Sequence, residues 1–353
     1  MFRDHINHLV DRSLTAAHHA WLDSITYIPQ FRQIHGSVAI NMYPAAGSWG
    51  GSSVFVKQFS GALGRCGFRS VFNLNGKVDA IIIVDPREDL QNKAFGMKEI
   101  RAYRRRNPQV KIIHRVNECD QRKATSFMDD ALRDATDIVD HSVFISEWLR
   151  EYFIERWFDP QRSHSVIYNG ADATVYHPMG GCVFENNGPM RLVTHHWSAN
   201  PMKGFPVYKQ LDDLITEGKI ENTELWIIGQ WPKDLVWRSA RTFPPTSGRP
   251  LADLLRQCHV YLTASLWEPC GMHHVEGAQC GLPLLFHEDG GGIVEAGRKY
   301  GIGFREESLV EALAEMRSRY LEMRQRVFDH MPDGNRMATE YVRVVQRLLA
   351  NRT

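Results

Sequence analysis

The sequence predicts an α/β protein made of two doubly wound domains that face one another across a cleft. Three observations carry that expectation. Short apolar, β-branched runs alternate with segments of helical period along most of the chain, the pattern of parallel sheets covered on both faces. At 353 residues the chain is too long for one ordinary core and suits two. Near its middle, Gly and Pro cluster from His177-Pro178-Met179-Gly180-Gly181 to Asn187-Gly188-Pro189, and apolar periodicity stops there.

Taken in order, strands are expected at 37–42, 80–84, 110–114, 142–145 and 165–168. After the break they are expected at 191–194, 224–228, 260–263 and 283–286. Helical period marks 54–66, 93–105, 127–135 and 206–216. The division that follows is an N-terminal helical extension (1–35), an N-domain (36–180), a C-domain (181–334) and a C-terminal helix (335–353) free to pack back on the N-domain. In open parallel sheets ligands bind beyond the carboxyl ends of the strands, so the site belongs in the cleft between the domains.

Composition removes several classes. Apolar residues make up 43% and charged residues 24%, the profile of a globular protein. A formal net charge of +1 provides no bulk attraction to nucleic acid, which is not expected as a partner. The basic run Arg101 to Arg106 reads as a solvated helix face. No window of about 18 apolar residues is present to span a membrane. Phe2, Ile6, Leu9, Val10, Leu14 and Trp21 form an amphipathic stripe that suits packing on the protein's own body, so association with a membrane surface is open but not indicated. Six widely spaced cysteines without a CxxC pattern, and no recognisable signal peptide, predict reduced thiols and a cytoplasmic protein.

The segment richest in chemistry runs from Val260 to Gly292. A strand ends in Leu266-Trp267-Glu268-Pro269-Cys270-Gly271 and a helix follows, with Glu276 about one turn inside it. The unpaired N–H groups at a helix start favour an anion such as a pyrophosphate. Two carboxylates flanking that start suit the hydroxyl pairs of a sugar nucleotide, because each acid can accept from two neighbouring hydroxyls. Lys203, between a strand and a helix, suits a phosphate.

The segment Glu268-Pro-Cys-Gly-Met-His-His-Val-Glu276 resembles the E-x7-E region of retaining GT-B glycosyltransferases, above all family 4. Further matching pieces are the glycine loop Ala46-Gly47-Ser48-Trp49-Gly50-Gly51, Val166 to Asp172, Ser198-Ala199-Asn200-Pro201-Met202-Lys203-Gly204-Phe205, Trp226-Ile227-Ile228-Gly229 and Asp289 to Glu295. The resemblance implies a GT-B fold of two Rossmann-like domains and transfer of a hexose, with retention, from a UDP- or GDP-linked sugar to a hydroxyl. It implies no cofactor and no metal, and a saccharide, lipid-linked or small-molecule acceptor. On these positions Glu276 would hold the donor ribose and Glu268 the transferred sugar. Backbone N–H groups around Cys270, Gly271 and Met272 would meet sugar or phosphate, Lys203 the departing diphosphate, and Gly50, Gly51 and Gly229 would complete the donor site. Where the family carries an arginine six residues before that lysine, this chain has Trp197, so a second positive charge must come from elsewhere.

On the N-domain side, the family's His or Asp near the anomeric carbon corresponds to His114 in one register and to Asn117 in the other. Asp120, Arg122 and Lys123 are candidates for the acceptor, with helix capping as the alternative for Asn117 and Asp120. The pairs His195-His196 and His273-His274 do not make a metal site, since adjacent side chains diverge on a strand or helix. The glycine loop lacks GxGxxG spacing, which disfavours a dehydrogenase. A nucleotide-sugar epimerase of the same shape and a non-catalytic sugar-nucleotide-binding subunit are the alternative readings.

Overall fold

The computed structural model describes residues 35–44 and 51–351. The expected extension 1–35, with its apolar stripe, lies outside the described residues except for His35, and so do Gly47 and Gly50 of the glycine loop. The described residues form two six-stranded sheets, and every pairing within them is parallel. The first contains β1 (Gly36–Ile40), β2 (Phe68–Val71), β3 (Ala80–Ile83), β4 (Lys111–Val116), β5 (His141–Phe144) and β6 (His164–Val166), in the order β2-β1-β3-β4-β5-β6. The second contains β7 (Met190–His196), β8 (Thr223–Gly229), β9 (Arg241–Phe243), β10 (Val260–Thr263), β11 (Leu284–His287) and β12 (Gly301–Phe304), ordered β12-β11-β10-β7-β8-β9. No helix or strand lies between Val166 and Met190.

Nine strands stand where apolar runs predicted them. The three others, β2, β9 and β12, are all outermost in their sheets. Edge strands are covered on fewer sides, so they need no continuous apolar run: β2 alternates buried and half-buried residues, β9 is largely exposed, and β12 reads Gly-Ile-Gly-Phe. The helix expected from 93 begins only at Met97, because Lys93 is engaged in a bridge with Met42 and the Glu88 carboxylate accepts from the Met97 N–H at 3.0 Å.

In the second sheet the strand order reverses between β7 and β10. A crevice opens at such a point because the connections leave toward opposite sides. The loops after β7 and β10, which carry Lys203 and Glu268, meet there.

The final helix, Gly334–Ala350, returns to the first domain. Its Met337, Tyr341 and Val345 recur at helical spacing and pack on Phe55, Phe59 and Leu63 of helix Gly51–Arg65. The Tyr341 ring meets Phe55 edge-on at 4.7 Å and Phe59 at 5.9 Å. The return crosses the first domain at a parallel bridge between Ala171 and Asp333, where the Gly334 N–H donates to the Ala171 carbonyl at 2.9 Å.

Buried histidines stand in both sheets or at their ends. His114 in β4 is fully buried, and burial pushes its pKa down to about 3. Burial first, with Arg347 and His164 adding to it, brings His141 to about 4, and burial with Arg191 brings His259 to about 4.

Two outcomes follow for stability. Tyr341→Ala should cost about 3–5 kcal/mol, the range for deleting a buried aromatic ring, measured as a lower urea midpoint at unchanged slope. A loss under about 1 kcal/mol would show that the last helix is not integral to the first domain. The depressed histidines bind fewer protons folded than unfolded, so their contribution is complete above the unfolded value of 6.5 and is lost as pH falls from there. Urea unfolding should therefore show stability falling from pH 7.5 to pH 5 and a shallower fall in His114→Gln; a flat profile in the parent protein would contradict the assignment.

Candidate active site

The loop after β10 is shaped by backbone before side chains enter. Trp267 adopts a left-handed conformation (φ 49°) that costs a non-glycine residue energy, held by its N–H donating to the Asp289 carbonyl at 2.9 Å. Glu268 bridges Gly291, with its N–H on the Gly290 carbonyl and its carbonyl accepting from the Gly292 N–H at 2.9 Å. This backbone aims the Glu268 side chain into the cleft, where Oε2 meets Arg122 Nε at 2.8 Å and Lys203 Nζ at 3.1 Å. Burial pushes the Glu268 carboxyl up, but Arg122 and Lys203 more than reverse this and hold it well below the usual carboxylate range. Burial in turn draws the Lys203 pKa down against the pull of Glu268.

Lys203 is positioned by a short 3-10 turn, Pro201–Lys203, capped by the Asn200 side chain, which accepts from the Met202 N–H at 2.8 Å. Gly204 follows at φ 75°. A Cβ there would lie 2.1 Å from the Ala264 carbonyl oxygen, so only glycine lets this turn lie against the end of β10.

Gly271 caps helix Met272–Gln279 without a side-chain hydrogen bond. Glu276 lies inside that helix and is buried, with Oε2 2.9 Å from His195 Nε2; His195 Nδ1 is 3.0 Å from the Tyr261 hydroxyl. A carboxylate only accepts, so His195 carries its proton on Nε2 and Tyr261 donates to Nδ1 while accepting from the His195 backbone N–H. A strand residue and a second strand's tyrosine thus orient a helix carboxylate.

The first domain meets this surface directly. A Cβ on Gly51 would lie 2.6 Å from Met272 Cγ, so the starts of helices Gly51–Arg65 and Met272–Gln279 face one another closely. Asn117, just past β4, donates to the Ser52 hydroxyl at 3.2 Å in that same place. His114 does not face the cleft: it is enclosed beneath the sheet, its Nδ1 3.0 Å from the Thr136 hydroxyl. Of the two registers, Asn117 is the residue that the structure brings to the cleft.

The three residues grouped as acceptor candidates separate. The Asp120 carboxylate accepts from the N–H groups of Phe127, Met128 and Asp129 and so caps the start of helix Met128–Thr136. Lys123 pairs with Glu118 at 3.0 Å. Arg122 turns inward to Glu268 and, at 3.4 Å, to the Asn200 side chain. Cys270 contributes its carbonyl, which accepts from Asn169 Nδ2 at 2.7 Å; Asn169 in turn accepts from the buried Arg115 at 2.9 Å. Gly229 ends β8 at φ 112°.

None of Asn169, Arg115, His195, Tyr261 and Asn200 was given a role from sequence: Asn169 and Asn200 fall inside the matched segments, and His195 entered only in a pair set aside as a metal site. Their contacts join residues far apart in the chain, and no local spacing marks them. Glu295 is another: its carboxylate accepts from the Glu147 and Trp148 N–H groups at 3.2 and 2.6 Å and from the Tyr168 hydroxyl at 2.5 Å. An acid of the second domain thereby caps a helix of the first.

Two further histidines of the pairs His195-His196 and His273-His274 are held by protein groups. His196 meets Thr194 and Tyr208, and His273 meets Thr263, all through Nε2 at 3.0–3.1 Å. Among the described residues no group of three or more His, Cys, Asp or Glu could hold a metal ion, and no helix is long and apolar enough to cross a membrane.

Known structures share this architecture. Sucrose-phosphate synthase from Thermosynechococcus elongatus aligns over 90% of this chain and all of its own, with 14% identity and a TM-score of 0.63. WaaG, a glycosyltransferase involved in lipopolysaccharide biosynthesis, aligns over 87% of this chain and 99% of its own, with 14% identity and a TM-score of 0.62. Anabaena HepE in complex with UDP-glucose aligns over 90% and 98%, with 14% identity and a TM-score of 0.57. At such identity these likenesses establish the fold, which is GT-B with two Rossmann-like domains. No curated protein matches the chain. Residues 202–323, which include Lys203, Glu268 and Glu276, match the family model of the glycosyl transferases group 1, and this match and the fold together support a glycosyltransferase.

Proposed function

We propose that the protein transfers a hexose from a UDP- or GDP-linked sugar to a hydroxyl acceptor, with retention at the anomeric carbon and without a metal ion. The observation that carries this reading is the arrangement around helix Met272–Gln279. Glu268 and Glu276 stand on either side of its N-terminus, at the point where strand order reverses, and Lys203 is 3.1 Å from Glu268. Glu276, oriented through His195, accepts from the ribose hydroxyls, and Glu268 accepts from hydroxyls of the transferred sugar. The diphosphate takes the N–H groups near Cys270, Gly271 and Met272 and the ammonium of Lys203.

In the reaction the bond from the anomeric carbon to the β-phosphate oxygen breaks with its electron pair on the oxygen. The acceptor oxygen bonds to the same carbon and releases its proton. Positive groups already aimed at the leaving oxygen stabilise the charge that develops there, which is the work a metal would otherwise do. Asn117, beside Ser52 at the facing helix start, stands on the reacting side of the cleft as a hydrogen-bond donor. The close approach of Gly51 to Met272 helps keep water from the donor. Saccharide, lipid-linked and small-molecule acceptors all fit this chemistry, in the cytoplasm where nucleotide sugars are available.

Glu276→Ala should weaken binding of the preferred nucleotide sugar roughly 10- to 150-fold, the effect of losing charged hydrogen bonds worth about 1.5–3 kcal/mol, as read by isothermal titration calorimetry. Unchanged affinity would place the ribose elsewhere. Lys203→Ala should lower kcat about 10²- to 10³-fold in a labelled-donor assay. NMR of the product should show the donor's anomeric configuration, and an inverted anomer would remove retention from the proposal.

A further inference from the structure

The loop before Lys203 lacks a second cation. The position six residues before it is Trp197, which is partly buried, with its ring edge-on to His195 at 5.8 Å. A lone lysine facing a diphosphate leaves much of the ligand's charge unmet. The missing cation is found across the cleft. Arg122, from the short helix Asp120–Lys123 of the first domain, is buried to 6% exposure and lies against the same Glu268 oxygen that Lys203 contacts.

We infer that Arg122 is the second cation of the diphosphate site, supplied by the opposite domain in place of an arginine at position 197. This rests on the reading of the site as a nucleotide-sugar site and names a residue that completes it. Two cations converge on one carboxylate oxygen, which leaves one unit of positive charge in excess beside the N-terminus of helix Met272–Gln279. The nearby Glu118 carboxylate also acts on Arg122 and Lys203, but it brings its own partner Lys123 at 3.0 Å, so the enlarged cluster keeps the same excess of positive charge. Arg122 also has a planar set of donors, of which Nε is committed to Glu268 and Nη1 reaches Asn200 only at 3.4 Å, so Nη2 and a loosely held Nη1 remain for phosphate oxygens. Because Lys203 and Arg122 come from different domains, the full charge exists only when the cleft is closed. Donor binding and domain closure therefore stabilise each other, since the ligand favours the state in which both cations reach it.

The test compares nucleoside diphosphate with nucleoside monophosphate binding, using UDP with UMP and GDP with GMP, in the full chain. The ratio of the two affinities within one variant isolates the distal phosphate and is insensitive to a general loss of stability. Arg122→Ala should reduce the diphosphate preference at least tenfold, Arg122→Lys should reduce it less, and Arg122→Ala/Trp197→Arg should recover a preference closer to that of the parent protein. An unchanged ratio in Arg122→Ala, with the parent protein preferring a diphosphate, would overturn the role of Arg122 and leave the nucleotide-sugar reading intact. Failure of the parent protein to bind either diphosphate would overturn the reading and this inference with it.

Discussion

Glu268 is where the two domains are tied together electrostatically. Its carboxylate is almost out of solvent, and it is kept ionised by an arginine from one domain and a lysine from the other. Removing such charges from water is expensive, and only close, well-directed partners offset that cost. The structure meets the requirement through backbone: a left-handed Trp267, a bridge from Glu268 to Gly291, and a glycine after Lys203 that lets its turn lie against β10. Taking away Glu268 would leave two buried cations side by side without balance, at a typical cost of about 3–5 kcal/mol, whereas removing either cation leaves a one-to-one pair. The cluster is thus a structural tie and a reserve of oriented charge.

The same division of labour recurs at Glu276 and Glu295. Glu276 is directed by His195, which Tyr261 holds in place through Nδ1, so three elements cooperate to point one carboxylate. Glu295 caps a helix start of the opposite domain and holds the Tyr168 hydroxyl. Three acids of the second domain therefore have three different sets of partners: one balances cations, one is held by a histidine, and one fastens the domains. Their residue type alone does not separate these roles; their partners do.

Much of the fold was legible in the sequence because buried parallel strands must be apolar on both faces. The strands that were not read, β2, β9 and β12, are edges, where that requirement lapses. At the site, the positions of Glu268, Glu276 and Lys203 followed from the strand–loop–helix pattern and from a motif resemblance. The N-domain face did not follow. His114 and Asn117 could not be told apart without knowing which residue of β4 points beneath the sheet, and the choice for Asp120 between helix cap and acceptor residue needed the position of helix Met128–Thr136. Arg122 was grouped with its neighbours by proximity in sequence, whereas its partner Glu268 lies 146 residues away. Local pattern has no access to a pairing of that kind.

The central claim is that this cleft is built for a nucleoside diphosphate sugar. A ligand that binds the native state and not the unfolded chain raises the melting temperature by mass action. A thermal-shift panel of UDP- and GDP-linked hexoses, with ATP and NAD as comparisons, therefore tests the claim most directly. The account predicts a concentration-dependent rise in Tm with at least one UDP- or GDP-linked sugar and none with NAD. No rise with any nucleotide sugar up to millimolar concentration, or a rise confined to NAD or ATP, would contradict it.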